Sequence, residues 1–404
     1  MKKIMIIGAG FLQTYVIKKA KELGYYTVAV DGNPDAEGFK YCDEYKAVNI
    51  VDENACLEYA KSIGIDGVLT AATDYGVLSS SYVARELNLS CINYESAKCI
   101  KNKYQVRKKL NEANADDTGK CFEISCESEF DEVMRVVKYP VMVKPCDGSG
   151  SRGAAKVENE SGFKKACIDA LGNSLSHKAL IEPFINGQEY GVESFVYNNE
   201  IFVLGVMKKK MTNPPYYAEL GHCIPSELSE ELELKVKDCV TKAIKALGVN
   251  FGSVNMDLLI TNNGDVHIVD VGARMGGNLI GSHIIPAGTG IDYIENMIKA
   301  AVGDKADFSP CKKPQNVSSR LLALTPGIVK KLPDFKQIED EYNVVIEHHL
   351  NEGDIIHEYH TNLDGCGYVV SVRNSLDDAI KATTSAWNCI NTSIIRGEKY
   401  EEKV

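Results

Sequence analysis

Two acidic residues lie in otherwise apolar segments on either side of a predicted turn. The turn is Asn263-Gly264, a dipeptide typical of β-hairpins, and the flanking segments carry Asp257 and Asp270. A charge on a buried strand costs free energy unless a partner compensates it. A divalent cation would relieve the repulsion between two such carboxylates, and oxygen ligands suit Mg²⁺, which usually shares its coordination shell with substrate phosphates. The alternative is a surface hairpin with solvated acids.

An arginine follows the second of these acids closely in the sequence. Arg274 is a permanent cation that can bind a carboxylate or a phosphate through two hydrogen bonds. The segment from 254 to 280 therefore predicts a metal site with an anion-binding residue beside it.

A glycine-rich loop follows a lysine at the end of another predicted strand. Lys144 ends the strand, and the loop reads Gly148-Ser149-Gly150-Ser151-Arg152-Gly153. Glycines let backbone N–H groups converge on an anion, and the lysine supplies a point charge. The loop lacks the Gly-Lys-Ser/Thr ending of a Walker A motif, and a strand rather than a helix is predicted after it. A flexible hairpin is the alternative.

A third segment combines an extended stretch with a turn and an acid. In Glu182–Tyr190, Pro183 favours extended backbone and Gly187 permits a turn before the next strand. Unpaired backbone there could bind a purine edge, and Glu189 could accept hydrogen bonds from ribose hydroxyls. The alternative is an ordinary connection between strands.

The elements that must position these residues predict a multidomain chain with α/β and α+β parts. In the first hundred residues, apolar strands alternate with helices that end at glycines, which predicts a parallel sheet. Its predicted strands are 4–7, 27–30, 67–69 and 90–92, and its predicted helices are 14–23 and 54–63. The later predictions are strands 179–182, 191–197, 201–208, 318–323 and 367–372, and helices 103–110 and 232–247. A last helix is predicted to begin at Ser375 with a capping box to Asp378 and to carry the only tryptophan, Trp387, in the core.

The first turn partly matches a dinucleotide-binding fingerprint. Gly8 and Gly10 begin the pattern, and Asp31 ends the second strand where a ribose-binding acid would lie. Gln13 takes the place of the third glycine, so the helix cannot pack as closely on the strand. We therefore favour a Rossmann-like domain that handles substrate over one that binds NAD(P).

Composition excludes several classes of protein. The 404 residues have a net charge of −11, which argues against nucleic-acid binding. No apolar run approaches the roughly 18 residues of a membrane span, and the short N-terminal run is not a signal peptide. The 13 cysteines show no zinc-finger spacing and are expected to be reduced thiols. The expected location is the cytoplasm.

Taken together and in this order, the segments resemble those of the ATP-grasp superfamily of carboxylate–amine and carboxylate–thiol ligases. The resemblance covers nearly the whole chain and implies a Rossmann-like pre-ATP-grasp domain (1–101), a two-lobed ATP-grasp domain (102–305) and a C-terminal domain like that of biotin carboxylase (306–404). It implies ATP and Mg²⁺ as cofactors, with Mn²⁺ as a possible substitute. Small-molecule carboxylates and amines would be the partners, without nucleic acid or membrane, in a possible homodimer.

The resemblance also implies a role for individual residues. Arg274 and Lys144 would be catalytic, and Asp257 and Asp270 would hold the metal. Lys103 and Lys144 would bind ATP phosphates. The ATP-binding residues would be Lys103, Lys144, Gly148, Ser149, Gly150, Ser151, Glu182, Phe184, Ile185 and Glu189. The superfamily mostly has glutamates at the metal positions and an asparagine where Gly272 stands, which leaves the number of metal ions open.

A narrower resemblance concerns the segment from Lys210 to Pro225. With Arg274-Met275-Gly276-Gly277, it is similar to the branch that contains L-amino-acid ligases. Two prolines followed by aromatic residues would form a lid-like loop, and Glu219, His222, Arg274 and Gly277 would contact substrate. A scaffold role is the alternative for the histidine.

The implied reaction is ATP-dependent activation of a carboxylate, expected to be that of an amino acid, as an acylphosphate, which an amine then attacks. No side-chain nucleophile is needed, because positioning and electrostatics stabilise phosphoryl transfer. A carboxylase acting through carboxyphosphate is the alternative within this fold. An NAD-dependent dehydrogenase and a catalytically silent binding protein are the alternatives from other classes.

Overall fold

The backbone alternates strands and helices throughout the residues that the structure describes. A computed structural model describes residues 1–148 and 150–397. The strands, in chain order β1 to β19, are Lys3–Ile7, Tyr26–Asp31, Glu44–Ala47, Gly67–Thr70, Phe122–Ile124, Val141–Pro145, Ala155–Val157, Ala179–Pro183, Gln188–Tyr197, Glu200–Met211, Glu219–Ile224, Gly252–Ile260, Val266–Gly272, Asn316–Leu321, Gly327–Lys331, Val345–His348, Ile355–Ile356, Gly367–Arg373 and Ile395–Gly397.

The helices connect and cover these strands. In chain order, α1 to α12 are Thr14–Glu22, Glu53–Ile63, Val77–Leu87, Tyr94–Ile100, Lys103–Glu112, Phe130–Val136, Glu160–Gly172, Glu230–Ala246, Ile285–Thr289, Tyr293–Ala301, Phe335–Tyr342 and Leu376–Ser393. Within the described ranges, no helix is long and apolar enough to cross a membrane.

The chain divides into two compact units. Unit 1 contains Met1–Thr118, Gly191–Val206 and Ser229–Lys313, and unit 2 contains Gly119–Tyr190, Met207–Leu228 and the chain from Pro314 onward. This division differs from the three predicted domains, which remain a prediction.

Unit 1 begins with the predicted parallel sheet, whose strand order is β3-β2-β1-β4. Its central strands are almost completely buried because both faces are apolar, as expected for a parallel sheet. The strand predicted at 90–92 was wrong, because those residues form a loop. The loop joins the left-handed cap of α3 at Asn88 to the cap of α4 at Asn93, which leaves no room for an extended strand.

Unit 1 also contains the predicted hairpin, formed by β12 and β13. Asp257 is the cross-strand partner of Asp270, and a register shift follows Asp257. Gly264 closes the turn with a φ of +80°, a left-handed conformation that favours glycine. The hairpin prediction is therefore confirmed. The predicted amphipathic helix is also confirmed as α8, whose N-cap is Ser229.

Unit 2 contains a four-stranded sheet, β5-β8-β6-β7, whose neighbours are all antiparallel. Helices α6 and α7 pack on its apolar core. A second antiparallel group joins part of β10 to β11, β14, β18 and β16. The predicted cap of α12 is confirmed in part: Ser375 accepts a hydrogen bond from the backbone of Asp378, while the Asp378 side chain accepts from the Ser375 hydroxyl. Trp387 packs against the apolar core.

Candidate functional site

The facing acids of the hairpin have a lysine beside them. Lys103 Nζ donates hydrogen bonds to both carboxylate oxygens of Asp270, each at 2.7 Å. Lys103 is the first residue of α5, whose N-cap Asn102 accepts a hydrogen bond from the backbone N–H of Gln105. The start of a capped helix thus fixes the lysine against one of the two predicted metal ligands.

The two carboxylates suit a cation that takes its remaining ligands from the substrate and from water. Within the described residues, no group of three or more His, Cys, Asp or Glu side chains is arranged to hold a metal. Asp257 and Asp270 are two carboxylates in cross-strand register, so a metal held there would need further oxygen ligands. This is the usual situation of Mg²⁺, which completes its shell with water and phosphate oxygens.

Arg274 forms an ion pair that the sequence did not predict. Its Nη2 donates a hydrogen bond to Asp74 Oδ2 at 3.1 Å, and its Nε lies 3.0 Å from Oδ1. Burial by itself would raise the pKa of Asp74, but the nearby guanidinium outweighs this effect and lowers it. Burial would likewise lower the pKa of Arg274, but the neighbouring carboxylates raise it. Both groups are therefore ionised at neutral pH.

A buried glutamate on β9 supports the segment that carries Arg274. Glu193 accepts hydrogen bonds from Tyr293 Oη at 2.6 Å, Asn255 Nδ2 at 3.0 Å and the backbone N–H of Gly276 at 3.2 Å. Burial raises the pKa of Glu193 to about 7, although the hydrogen bonds and the charge of Arg274 oppose the shift. The sequence analysis did not single out Glu193, although an acid within an apolar strand is the same signal that marked the hairpin.

Lys144 and Glu182 form a buried ion pair in unit 2. Their charged atoms are 2.6 Å apart, and the two side chains are only 9% and 7% exposed. Strands β6 and β8 are antiparallel with Met142 opposite Glu182. Lys144 lies two residues further along and therefore shares the face of β6 on which Met142 lies. The pairing follows from a register that the sequence alone does not reveal.

The glycine-rich loop combines left-handed backbone with a contact to the predicted lid. Gly150, Ser151 and Gly153 have φ values of +66°, +64° and +67°. Ser151 Oγ donates a hydrogen bond to the carbonyl of Tyr217 at 2.6 Å. Among the predicted loop residues, only Ser149 lies outside the described part of the chain.

The remaining predicted nucleotide and substrate residues are partly buried. The ring centroids of Phe184 and Tyr217 are 6.3 Å apart, and Lys156 Nζ lies 4.4 Å from the centroid of the Phe184 ring. Ile185 is partly exposed in unit 2, and Gly277 is partly buried in unit 1.

Lys209 links two predicted site residues and was missed in the sequence. Its Nζ lies 3.1 Å from Glu189 Oε1 and 2.5 Å from Glu219 Oε1. Lys209 itself is only 3% exposed, because alternation along β10 turns it inward while Lys208 pairs with Glu227 at the surface. It belongs to the basic run Lys208-Lys209-Lys210, a pattern typical of a solvated face, so the sequence alone did not reveal the buried cation.

His222 is a buried neutral histidine beside this cluster. Its Nε2 lies 3.8 Å from Glu219 Oε2, and its Nδ1 is buried without a hydrogen-bond partner among the described residues. Burial, which the charge of Glu219 opposes, lowers the pKa of His222 to about 4.

This shift predicts an acid-sensitive unit 2. Above pH 6.5 the imidazole is neutral in both folded and unfolded chains; as the pH falls from there towards 4, the unfolded chain gains a proton that the folded chain resists. At about 1.4 kcal/mol per pKa unit, roughly 3 kcal/mol of stability is lost across this window. Urea unfolding followed by Trp387 fluorescence at several pH values measures it.

The His222→Gln variant should lose this part of the pH dependence. His267→Gln is the control. This histidine lies in unit 1, and its hydrogen bond to Asp116 raises its pKa, the opposite of the shift at His222. An unchanged pH slope in His222→Gln would contradict the prediction.

The partial dinucleotide fingerprint is occupied by the protein's own side chains. Asp31 Oδ2 accepts a hydrogen bond from the backbone of Ala9 at 2.8 Å. Gln13 is buried and donates to the carbonyl of Ala71 at 2.6 Å. The acid and the glutamine thus hold the turn, which favours a scaffold role for it.

Comparison with known proteins identifies the central part of the chain. Residues 137–282 match the model of the ATP-grasp domain. This stretch of the chain is therefore an ATP-grasp domain. Ligases and synthetases are among the proteins to which the chain is similar.

Individual curated relatives match this chain at low sequence identity. An uncharacterized protein, y4rH, of Sinorhizobium fredii is 25% identical over 339 residues, which cover 83% of this chain and 69% of the relative. The ATP-grasp enzyme fsqD of Aspergillus fumigatus is 25% identical over 284 residues, which cover 60% of this chain and 47% of that relative.

Solved structures extend the likeness to nearly the whole chain. A phosphoribosylglycinamide synthetase from Anaerococcus prevotii is 25% identical with a TM-score of 0.76, over 98% of this chain and 100% of that one. An L-amino acid ligase from Bacillus licheniformis is 18% identical with a TM-score of 0.84, over 98% and 99%. At 18% identity the likeness to the ligase concerns the fold.

Proposed function

We propose that this protein uses ATP to activate the carboxylate of an amino acid and joins it to an amine. A carboxylate oxygen attacks the γ-phosphorus of ATP, the bond to the β–γ bridging oxygen breaks, and ADP leaves. The amine nitrogen then attacks the acyl carbon of the acylphosphate, inorganic phosphate leaves, and the nitrogen loses a proton. The observation that carries the proposal is the register of Asp257 with Asp270, four residues before Arg274.

The residues of unit 1 would handle the metal and the carboxylate. Asp257 and Asp270 would hold Mg²⁺, or Mn²⁺ in its place, and the ion would neutralise charge on the phosphates. Lys103 would add a second positive charge, since it already contacts Asp270. Arg274 would bind the carboxylate and stabilise the transferring group, and Gly277 would leave space beside it for substrate.

The residues of unit 2 would bind the nucleotide and contact the substrate. Lys144 and Gly148 to Gly153 would hold phosphates through one charge and several backbone N–H groups. Glu182, Phe184 and Ile185 would contact the adenine, and Glu189 the ribose. Glu219 and the neutral His222 would accept hydrogen bonds from a substrate amino group, which is supported by the low pKa of the imidazole.

The architecture would follow the same family. We propose the pre-ATP-grasp, ATP-grasp and biotin-carboxylase-like domains at 1–101, 102–305 and 306–404. The substrates would be small molecules, and a homodimer is the assembly we expect.

A screen of amino acids, singly and in pairs, tests the proposed function. We expect ADP and phosphate release that depends on Mg²⁺ and on an amino acid, with a condensed product detected by mass spectrometry. Arg274→Ala should reduce ADP release at least 100-fold, because it removes a charge that stabilises phosphoryl transfer. Arg85→Ala is a matched control, since Arg85 pairs with Glu86 at the surface.

Two outcomes of this screen would replace the proposal. Release of ADP with bicarbonate and without any amino acid would favour the carboxylase that acts through carboxyphosphate. Wild-type release by Arg274→Ala would show that this arginine is not in the reaction centre.

A further inference from the structure

The loop that follows β4 is joined to the segment that carries Arg274. Ala71 forms a parallel β-bridge with Met275, and the backbone N–H of Ala72 donates to the Met275 carbonyl at 3.0 Å. Gln13 Nε2 also donates to Ala71 at 2.6 Å. This backbone bridge and a buried side chain therefore hold the loop in one position beside the arginine.

Within this loop, Asp74 contacts one side of the Arg274 guanidinium. The contacts run from Nη2 to Oδ2 at 3.1 Å and from Nε to Oδ1 at 3.0 Å. Nη1 has only long contacts, at 3.4 Å to Asn255 Oδ1 and 3.5 Å to the Met275 carbonyl. A planar carboxylate can pair with a guanidinium through either of two edges. Asp74 uses the Nε–Nη2 edge, so the Nη1–Nη2 edge is the one left to bind a second anion.

The surroundings keep both partners in place. Lys101 Nζ donates to the backbone carbonyl of Asp74 at 3.3 Å. On the other side, Glu193 accepts from Asn255 and from the backbone of Gly276. Non-glycine residues with left-handed φ values cluster here, at Ala72, Asn278 and Leu279. Each costs on the order of 1 kcal/mol, which only a well-determined segment tolerates.

We propose that Asp74 is a positioning residue that orients Arg274, so that the Nη1–Nη2 edge of the guanidinium binds the substrate carboxylate. The inference rests on the proposed function and adds to it a residue 200 positions away from the arginine in sequence. Asp74 contacts no reacting atom. Its effect is exerted through the rotamer of Arg274, which a long flexible side chain would otherwise sample freely.

The kinetic test compares Asp74→Asn with wild type. The amide keeps the size of the side chain but loses the charge that fixes the guanidinium. Because a displacement of about 1 Å at a reacting group can cost 100-fold, we expect kcat to fall by roughly 30- to 100-fold. The KM for ATP should change less than about twofold, since Asp74 belongs to the carboxylate side of the reaction. Asp74→Glu should recover part of kcat.

Asp43→Asn is the matched control for folding and for charge. Asp43 lies next to the same parallel sheet, is paired with Lys21 at 2.8 Å, and is 26% exposed against 22% for Asp74. It should leave kcat unchanged. A wild-type kcat in Asp74→Asn would overturn the proposal, as would an equal loss of kcat in Asp43→Asn.

A structural arm separates this inference from the proposed function. In a crystal structure of Asp74→Asn, the guanidinium of Arg274 should leave the orientation seen here or lose its density. That result supports the proposal even if no amino acid stimulates ADP release in the wild type, which would refute only the reaction. An unmoved Arg274 would overturn the positioning role whatever the reaction.

Discussion

Replacing Asp270 with asparagine is expected to reduce Mg²⁺-dependent ATP turnover by about a thousandfold. The substitution removes one of two carboxylates that face each other across the hairpin, and therefore half of the protein's charge on the proposed metal. It also leaves Lys103 opposite an amide, in place of the carboxylate whose two oxygens accept hydrogen bonds from Lys103 Nζ. The factor of a thousand corresponds to about 4 kcal/mol of transition-state stabilisation.

The hairpin provides its own control for this experiment. Asp265 lies near the turn and is exposed, and its side chain accepts only a long hydrogen bond, at 3.4 Å, from Thr261 Oγ1. Asp265→Asn should therefore preserve turnover, while both variants should keep the fold. Calorimetric titration with MgADP supplies a second readout, because Asp270→Asn should weaken binding when Mg²⁺ is present and have little effect in its absence. Full turnover in Asp270→Asn would remove the hairpin from the reaction.

Lys103 distinguishes the two effects of that substitution. Lys103→Met removes the lysine and retains both carboxylates. If turnover is lost in Asp270→Asn but largely kept in Lys103→Met, the acid acts through the metal. If both variants lose turnover equally, Lys103 is required as well, either through its pair with Asp270 or through its own contact with phosphate.

Local patterns predicted much of the fold, because the spacing of apolar residues along a strand or a helix shows which side chains face the core. The hairpin at Asn263-Gly264, the first parallel strands and the strand after the glycine loop are all confirmed by the structure. The error at 90–92 arose because a short apolar stretch between two polar caps resembles a strand. Apart from Ser149, which lies outside the described residues, the structure locates the sequence-predicted site residues, but the roles assigned to them remain predictions.

The unpredicted contacts join residues that come together only through the tertiary fold or through strand pairing. Asp74 lies 200 residues before Arg274, and Lys209 contacts acids on two other strands. Such pairs depend on which strands become neighbours and in which register, information that side-chain periodicity does not contain. Glu193 could have been suspected from its apolar strand, but its partners Tyr293 and Asn255 could not.

Breaking the buried pair of Lys144 and Glu182 is expected to destabilise unit 2 by about 3–5 kcal/mol. Lys144→Met leaves a carboxylate buried with one partner fewer, and Glu182→Gln leaves a buried ammonium in the same position. The desolvation cost of the remaining charge, rather than the lost attraction, sets the size of the effect. Lys178→Met is the contrasting control: Lys178 pairs with Glu123 at 2.8 Å but is 40% exposed, so its loss should cost about 0–1 kcal/mol.

Trp387, the only tryptophan, lies in unit 2 and reports on its unfolding in urea. The Lys144→Met/Glu182→Gln double variant carries neither charge, so it should be more stable than either single variant. Its ATP turnover should nevertheless stay as low as that of Lys144→Met, because no ammonium remains to hold a phosphate. Recovery of stability without recovery of turnover separates the structural role of the pair from the proposed role of the lysine. If the double variant is no more stable than the weaker single variant, the charges are not coupled; if it turns over ATP like the wild type, Lys144 does not bind phosphate.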